Sequence, residues 1–112
     1  MNKPAGVGTR LACHQDRWTH LDQDPLIRLW KALDPATIKN GCVQVVAGTH
    51  HRLIFPSSEG GFLTEAQTTE LLHGAEIIYL ELADCECVLL HNHLPHASEI
   101  NTTDIPRRAF SA

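Results

Sequence analysis

The clearest structural signal in the chain is the stretch NGCVQVVAGTH at residues 40–50. Residues 42–46 are compact and rich in β-branched valine, which favours a strand, and the Asn-Gly pair before them favours a turn. Gly48 follows directly, and we expect a loop from there to residue 61. The stretch therefore predicts a short strand bounded by turns.

Further short strands are predicted on both sides of this stretch. The apolar run at residues 26–33 could also be a helix, but the turn signals that bound it favour a strand. Residues 1–8 are predicted to be a loop, and residues 92–101 a turn-rich connection. The complete set of further predicted strands is residues 9–13, 26–33, 76–82, 86–91 and 107–112.

One helix interrupts the strands. Thr64 followed by Gln67 has the form of a capping box, and we expect a helix to begin there, to continue to about Leu72 and to end before Gly74. Many short strands with a single short helix indicate an all-β barrel or sandwich. The fold class predicted from the residues is therefore mainly β.

Composition excludes several functional classes. The chain has 112 residues and a net charge of −4, which allows one small domain. No block of like charge points to nucleic acid or a membrane surface, and no apolar run approaches the ~20 residues of a membrane span. Four cysteines without a secretory signal favour reduced thiols and a cytoplasmic location.

A metal-binding pattern stands at His14-Gln15-Asp16. In a strand, side chains at i and i+2 lie on the same side, so His14 and Asp16 can bind one ion together. His96, expected at a strand end, is the best third ligand. Two histidines and one carboxylate form the facial triad of non-haem Fe(II) oxygenases, which leaves three iron positions for a cosubstrate, a substrate-derived group or O₂.

An arginine pair follows His96, with Arg107 eleven residues after it and Arg108 beside it. A guanidinium pairs with a carboxylate through two hydrogen bonds and keeps its charge at any pH. A dicarboxylate cosubstrate that chelates iron through its 2-oxo acid end needs such an anchor at its other end.

Four motifs occur in order along the chain: HQDR at residues 14–17, Trp30, NGCVQVVAGTH at residues 40–50, and HAS at residues 96–98 with Asn101 and RRA at residues 107–109. In order and spacing they resemble the phytanoyl-CoA dioxygenase family of Fe(II)/2-oxoglutarate oxygenases. Ala47 departs from that family's pattern, in which proline is usual. The resemblance implies that residues 1–112 are one partial dioxygenase domain, the C-terminal portion of the family's catalytic core.

The resemblance also implies roles for individual residues. His14, Asp16 and His96 would be the catalytic iron ligands. Arg107, favoured over Arg108 by its spacing from His96, would pair with the distal carboxylate of 2-oxoglutarate.

Two more residues would complete the cosubstrate pocket. Ser98 would donate a hydrogen bond to the same distal carboxylate, and Trp30 would line the pocket. Gly48 and Thr49 would have a structural role in the turn after the strand.

The implied fold is a double-stranded β-helix, also called a jelly roll, in an incomplete cupin-like form. The implied reaction consumes O₂ and 2-oxoglutarate, with ascorbate in a supporting role. It releases succinate and CO₂ and hydroxylates a small organic substrate. We expect the residues that select this substrate in the loops at residues 17–24 and 52–61. Alternatives are a non-catalytic barrel that binds a metal or small molecule, and an inactive truncated remnant. Exposed sheet edges predict self-association.

A second possible set of metal ligands lies at residues 85–93. Cys85 and Cys87 with His91 or His93 could bind zinc, but structural zinc sites usually use CxxC-type pairs. The His91-Asn92-His93 triplet lacks a surrounding ββα-metal pattern, which argues against a nuclease. The iron triad is the preferred hypothesis.

Overall fold

The computed structural model describes residues 2–6, 9–17, 26–58 and 60–112. Its elements are β1 (Asn2–Lys3), β2 (Leu11–His14), β3 (Ile27–Ala32), β4 (Val43–Val46), α1 (Glu65–Leu72), β5 (Ile77–Tyr79), β6 (Cys87–His91), β7 (His96–Ser98) and β8 (Arg107–Ser111). The strands form two antiparallel four-stranded sheets, in the orders β1-β8-β3-β6 and β2-β7-β4-β5. This arrangement confirms the mainly β, jelly-roll prediction.

Helix α1 confirms the predicted capping box. The Thr64 side chain accepts a hydrogen bond from the Gln67 backbone N–H, and the Gln67 side chain accepts one from the Thr64 backbone N–H. These two bonds satisfy N–H groups that a helix start otherwise leaves without partners. In the part of the chain that the structure describes, no helix is long and apolar enough to cross a membrane.

Two predictions from the sequence are wrong in detail. Residues 92–101 contain strand β7, which pairs with β2 on one side and β4 on the other. Its sequence, His-Ala-Ser, has no local strand signal. Hydrogen bonds from two neighbouring strands, rather than strand propensity, hold it extended, so the sequence did not predict it. Residues 1–8 include β1, which is likewise held extended by its pairing with a distant strand, β8. From residue 18 onwards, the predicted loop at residues 17–24 lies outside the described residues.

The core lies between the two sheets and is small. Its largest member is Trp30, and the inward positions of β4 add Val43 and Val45. The outer face of the β1-β8-β3-β6 sheet is open, with Ile27, Leu89 and Phe110 each more than half exposed. Self-association through this sheet stays a prediction. The buried members of the core are Trp30, Ala32, Ala36, Cys42, Val43, Val45 and Ala109.

The loop after β4 returns to the end of β2 through Gly61. The Gln15 N–H donates to the Gly61 carbonyl at 3.0 Å, and Gly61 has a φ of +72°. A Cβ atom at this position would lie 1.8 Å from the Gln15 carbonyl oxygen. Close backbone contact and a left-handed conformation together therefore require glycine.

This contact predicts that Gly61→Ala is destabilising. Strain of about 1–3 kcal/mol in the left-handed region, added to the steric clash, should lower Tm by roughly 5–15 °C in a thermal melt. Gly74→Ala is the matched control, because an added Cβ there meets no described atom within 4 Å. Equal melting temperatures for the two variants would contradict this role of Gly61.

Candidate metal centre

The structure brings together the three ligands hypothesised from the sequence. His14 at the end of β2 lies opposite His96 at the start of β7. The Asp16 Oδ1 atom is 3.7 Å from His14 Nε2 and 3.5 Å from His96 Nε2. Ligand atoms that bind one ion at about 2.1 Å lie about 3.0–3.5 Å apart, so this spacing fits a divalent metal.

Both imidazoles are held in the tautomer that binds a metal through Nε2. The His14 Nδ1 atom donates to the Ala12 carbonyl at 2.9 Å, and His96 Nδ1 donates to the Leu94 carbonyl at 2.8 Å. A carbonyl oxygen only accepts, so each Nδ1 carries the hydrogen. Each Nε2 lone pair is therefore available towards Asp16.

The charges at the site suit a cation at neutral pH. Burial raises the pKa of the Asp16 carboxyl, but the neighbouring His96 and Arg28 outweigh burial and bring this pKa to about 2. Burial and the neighbouring His96 lower the pKa of His14. An ionised carboxylate and a neutral imidazole are the forms that bind metals.

Gln15 supports the ligands from between them, a role that sequence reasoning missed. It is buried, and its Nε2 donates to the carbonyls of Arg52 and His93 at 2.8 and 2.7 Å. Its Oε1 accepts from the Ile54 N–H at 2.8 Å. These bonds join the loop after β4 and the turn before β7 to the ligand stretch, which fixes the backbone that carries His14 and Asp16.

Arg28 is a second residue that the sequence analysis missed. Its Nη1 donates to Asp16 Oδ2, and its Nε donates to Ser111 Oγ at 2.6 Å. Arg28 stands two residues before Trp30 in β3, so strand alternation places both side chains on the inner face. That periodicity was the available signal.

The residues expected to hold the cosubstrate are fully buried. Arg107 is 0% exposed, and Ser98 and Trp30 are each 2% exposed. The Arg107 Nη2 donates to the Gly41 carbonyl at 3.0 Å, and its guanidinium lies 5.4 Å from the Trp30 ring centroid. The sequence placed these three residues at one site, and the structure places them near one another.

Several polar atoms in this group have no hydrogen-bond partner among the described residues. They are Arg107 Nε and Nη1, Ser98 Oγ and Trp30 Nε1. Buried donors are normally satisfied, and leaving one unpaired costs about 1–3 kcal/mol. A ligand carboxylate would accept from Arg107 and Ser98, which line one cavity, so these two donors fit the distal carboxylate of 2-oxoglutarate.

Lys3 adds a second cation that the sequence analysis read only as part of a loop. It lines a cavity of about 350 Å³ together with Ser98 and Arg107. Its Nζ donates to the Thr9 carbonyl at 2.5 Å. Burial and the neighbouring Arg107 lower the pKa of the Lys3 ammonium, which an anion in the cavity would oppose.

The Asn-Gly motif and Asn101 hold Arg107 in place. Gly41 has a φ of +86°, and a Cβ atom there would lie 2.4 Å from the Glu99 carbonyl oxygen. Asn101 is fully buried, and its Nδ2 donates to the carbonyls of Lys3 and Ile105 at 3.1 and 2.7 Å. These motif residues therefore shape the backbone around the arginine.

A second group, formed by His50, His51, His91 and His93, lacks the convergence of the triad. The ring centroids of His50 and His91 lie 5.0 Å apart, and those of His91 and His93 lie 5.4 Å apart. Among the described residues, only His14, Asp16 and His96 have ligand atoms all within 4.8 Å of one another. Cys85 and Cys87, which were candidates for zinc, are exposed.

The chain is similar in sequence to curated phytanoyl-CoA dioxygenases. It is 33% identical over 116 residues to phytanoyl-CoA dioxygenase 1 of Oryza sativa subsp. japonica, covering 97% of this chain and 40% of that protein. It is 30% identical over 118 residues to phytanoyl-CoA dioxygenase domain-containing protein 1 of Mus musculus, with coverage of 97% and 40%. The chain thus spans about 40% of the length of these curated relatives.

A solved structure agrees with the fold. The crystal structure of EctD from S. alaskensis with 2-oxoglutarate and 5-hydroxyectoine superposes with a TM-score of 0.81 and 26% identity, covering 98% of this chain and 39% of EctD. The family model for phytanoyl-CoA dioxygenase (PhyH) matches residues 1–109. This match covers nearly the whole sequence and confirms the resemblance seen in its motifs: the chain belongs to the phytanoyl-CoA dioxygenase family.

Proposed function

We propose that the chain is part of an Fe(II)/2-oxoglutarate-dependent dioxygenase that hydroxylates a small organic substrate. The observation that carries this proposal is the convergence of His14, Asp16 and His96, whose ligand atoms all lie within 4.8 Å of one another. Family membership supports the same reaction class. The four free thiols fit a reducing, cytoplasmic location.

In this proposal His14, Asp16 and His96 would hold the iron as a facial triad. When bound, iron, 2-oxoglutarate and O₂ supply the oxidising chemistry, with succinate and CO₂ as products and ascorbate as a supporting reductant. Asp16 contributes the negative protein charge of the triad. The backbone bonds of the two Nδ1 atoms keep both imidazoles oriented before any metal arrives.

The second part of the proposal concerns the cosubstrate. Arg107 would pair with its distal carboxylate, Ser98 would donate to the same group, and the Trp30 ring would line the pocket. Lys3, which lines the same cavity as Arg107 and Ser98, would add positive charge. Because these side chains are almost completely buried, they would also exclude water from the anchored carboxylate.

Metal binding is the first test. We expect the wild-type protein to bind one equivalent of Fe(II), with Mn(II), Co(II) or Ni(II) able to substitute, in anaerobic calorimetric titrations. His14→Ala and His96→Ala should each abolish this stoichiometric binding, because two remaining ligands do not hold a labile ion. His73→Ala changes an exposed histidine after α1 and is the matched control. One full equivalent bound by either triad variant would remove that histidine from the site.

Cosubstrate binding is the second test, followed by the charge-transfer absorption that 2-oxoglutarate produces on Fe(II). Arg107→Lys should weaken binding markedly, about 10-fold or more, since a single ammonium does not replace a planar pair of donors. The matched control is Arg108→Lys, which changes an exposed arginine paired with Asp34. Equal affinity in wild type and Arg107→Lys would contradict the assigned role.

Turnover is the third test. Succinate should form when the complete dioxygenase of which this chain is part receives Fe(II), ascorbate, 2-oxoglutarate and a suitable small organic substrate. Asp16→Ala should eliminate this release, because it removes the anionic ligand of the triad. Metal and 2-oxoglutarate binding without succinate from any tested substrate would instead favour the alternative, a non-catalytic binding protein.

A further inference from the structure

Arg28 is a cation in contact with the proposed metal ligand Asp16, and its contact with Ser111 also fixes its placement. Its side chain is 20% exposed and that of Asp16 is 14% exposed, so their ion pair is largely shielded from solvent. One end of the guanidinium donates to Asp16, and its Nε donates to Ser111 Oγ at 2.6 Å. Arg28 therefore links strand β8 to the metal site.

The two oxygens of Asp16 have different partners. Oδ1 lies 3.7 Å from His14 Nε2 and 3.5 Å from His96 Nε2 and so faces the ion position. Oδ2 accepts the hydrogen bond from Arg28. A carboxylate engaged in this way offers one oxygen to a metal, because turning Oδ2 towards the ion would break a charge-assisted bond.

We propose that Arg28 is a positioning residue that holds Asp16 as a one-oxygen metal ligand. This inference rests on the proposed function. It matters for that function because a six-coordinate ion bound by His14, His96 and one oxygen of Asp16 keeps three positions open. A carboxylate bound through both oxygens would take one of those positions from the cosubstrate or O₂.

Strand β8 carries Ser111, the residue that holds the other end of the Arg28 side chain. Residues 107, 109 and 111 alternate with exposed residues 108 and 110, so Arg107 and Ser111 lie on the same inner face. The strand thus carries the proposed cosubstrate anchor at its start and the support for Arg28 at its end. The Arg108 side chain, which is 58% exposed, differs in that both of its hydrogen bonds within the described structure go to one residue, Asp34.

The sign of the effect on metal affinity separates positioning from simple charge. Removing a cation beside a divalent ion would tighten metal binding if charge repulsion were its main effect. Loss of the group that orients a ligand weakens binding, typically by about 10–100-fold. We therefore expect Arg28→Leu to bind Co(II) about 10–100-fold more weakly, with one equivalent still bound.

The experiment compares Arg28→Leu, Arg28→Lys and Ser111→Ala with the control Arg108→Leu by Co(II) titration. The visible Co(II) spectrum, which reports coordination number, should change in Arg28→Leu and stay unchanged in the control. Arg28→Lys keeps one donor and should recover part of the affinity, and Ser111→Ala should cause a smaller loss than Arg28→Leu. Thermal melts of the metal-free proteins separate these effects from unfolding, and the two milder variants decide the matter if Arg28→Leu does not fold.

Three results would count against the proposal. Unchanged or tighter Co(II) binding with an unchanged spectrum in a folded Arg28 variant would overturn the positioning role alone. An equal loss in Arg108→Leu would show that the effect is not specific to Arg28. Absence of metal binding by the wild-type protein would overturn the proposed function and this inference together.

Discussion

The register between β2 and β7 is the constraint on which the site depends. It sets His14 directly opposite His96 and leaves their rings 4.2 Å apart, although the two residues are 82 positions apart in the chain. A slip of one residue would turn one imidazole to the other face of the sheet. Because β7 is only three residues long, its pairing with β2 and β4 on both sides has to hold this register.

Polar groups inside the jelly roll connect stability with ligand binding. The protein buries Arg107 beside Trp30 and leaves part of its guanidinium without a hydrogen-bond partner in the described structure. Such burial costs free energy in the empty protein, and a bound carboxylate would return it. The Gly41 carbonyl accepts one hydrogen bond from Arg107, and Asn101 donates a hydrogen bond to the Ile105 carbonyl, two residues before the arginine.

Several contacts also fix the position of Asp16 and of the backbone beside it. One carboxylate faces two imidazoles through Oδ1 and an arginine through Oδ2, so its geometry is set from both sides. Gln15 fixes the backbone between the two ligands through three hydrogen bonds to neighbouring loops. Preorganisation of this kind keeps ligands within the narrow tolerance that metal chemistry requires.

The sequence by itself determined the all-β class, the capped helix and the strand at Val43–Val46, because β-branched runs, turn pairs and capping boxes act over a few residues. Its motifs also singled out His14, Asp16, His96 and Arg107. Only the tertiary structure revealed strand β7 and the parts played by Lys3, Gln15 and Arg28. Their positions depend on pairing between distant segments: Arg28 meets Asp16 and Ser111 across 12 and 83 residues. Local propensity carries no information about such contacts, since they form only when the sheets assemble.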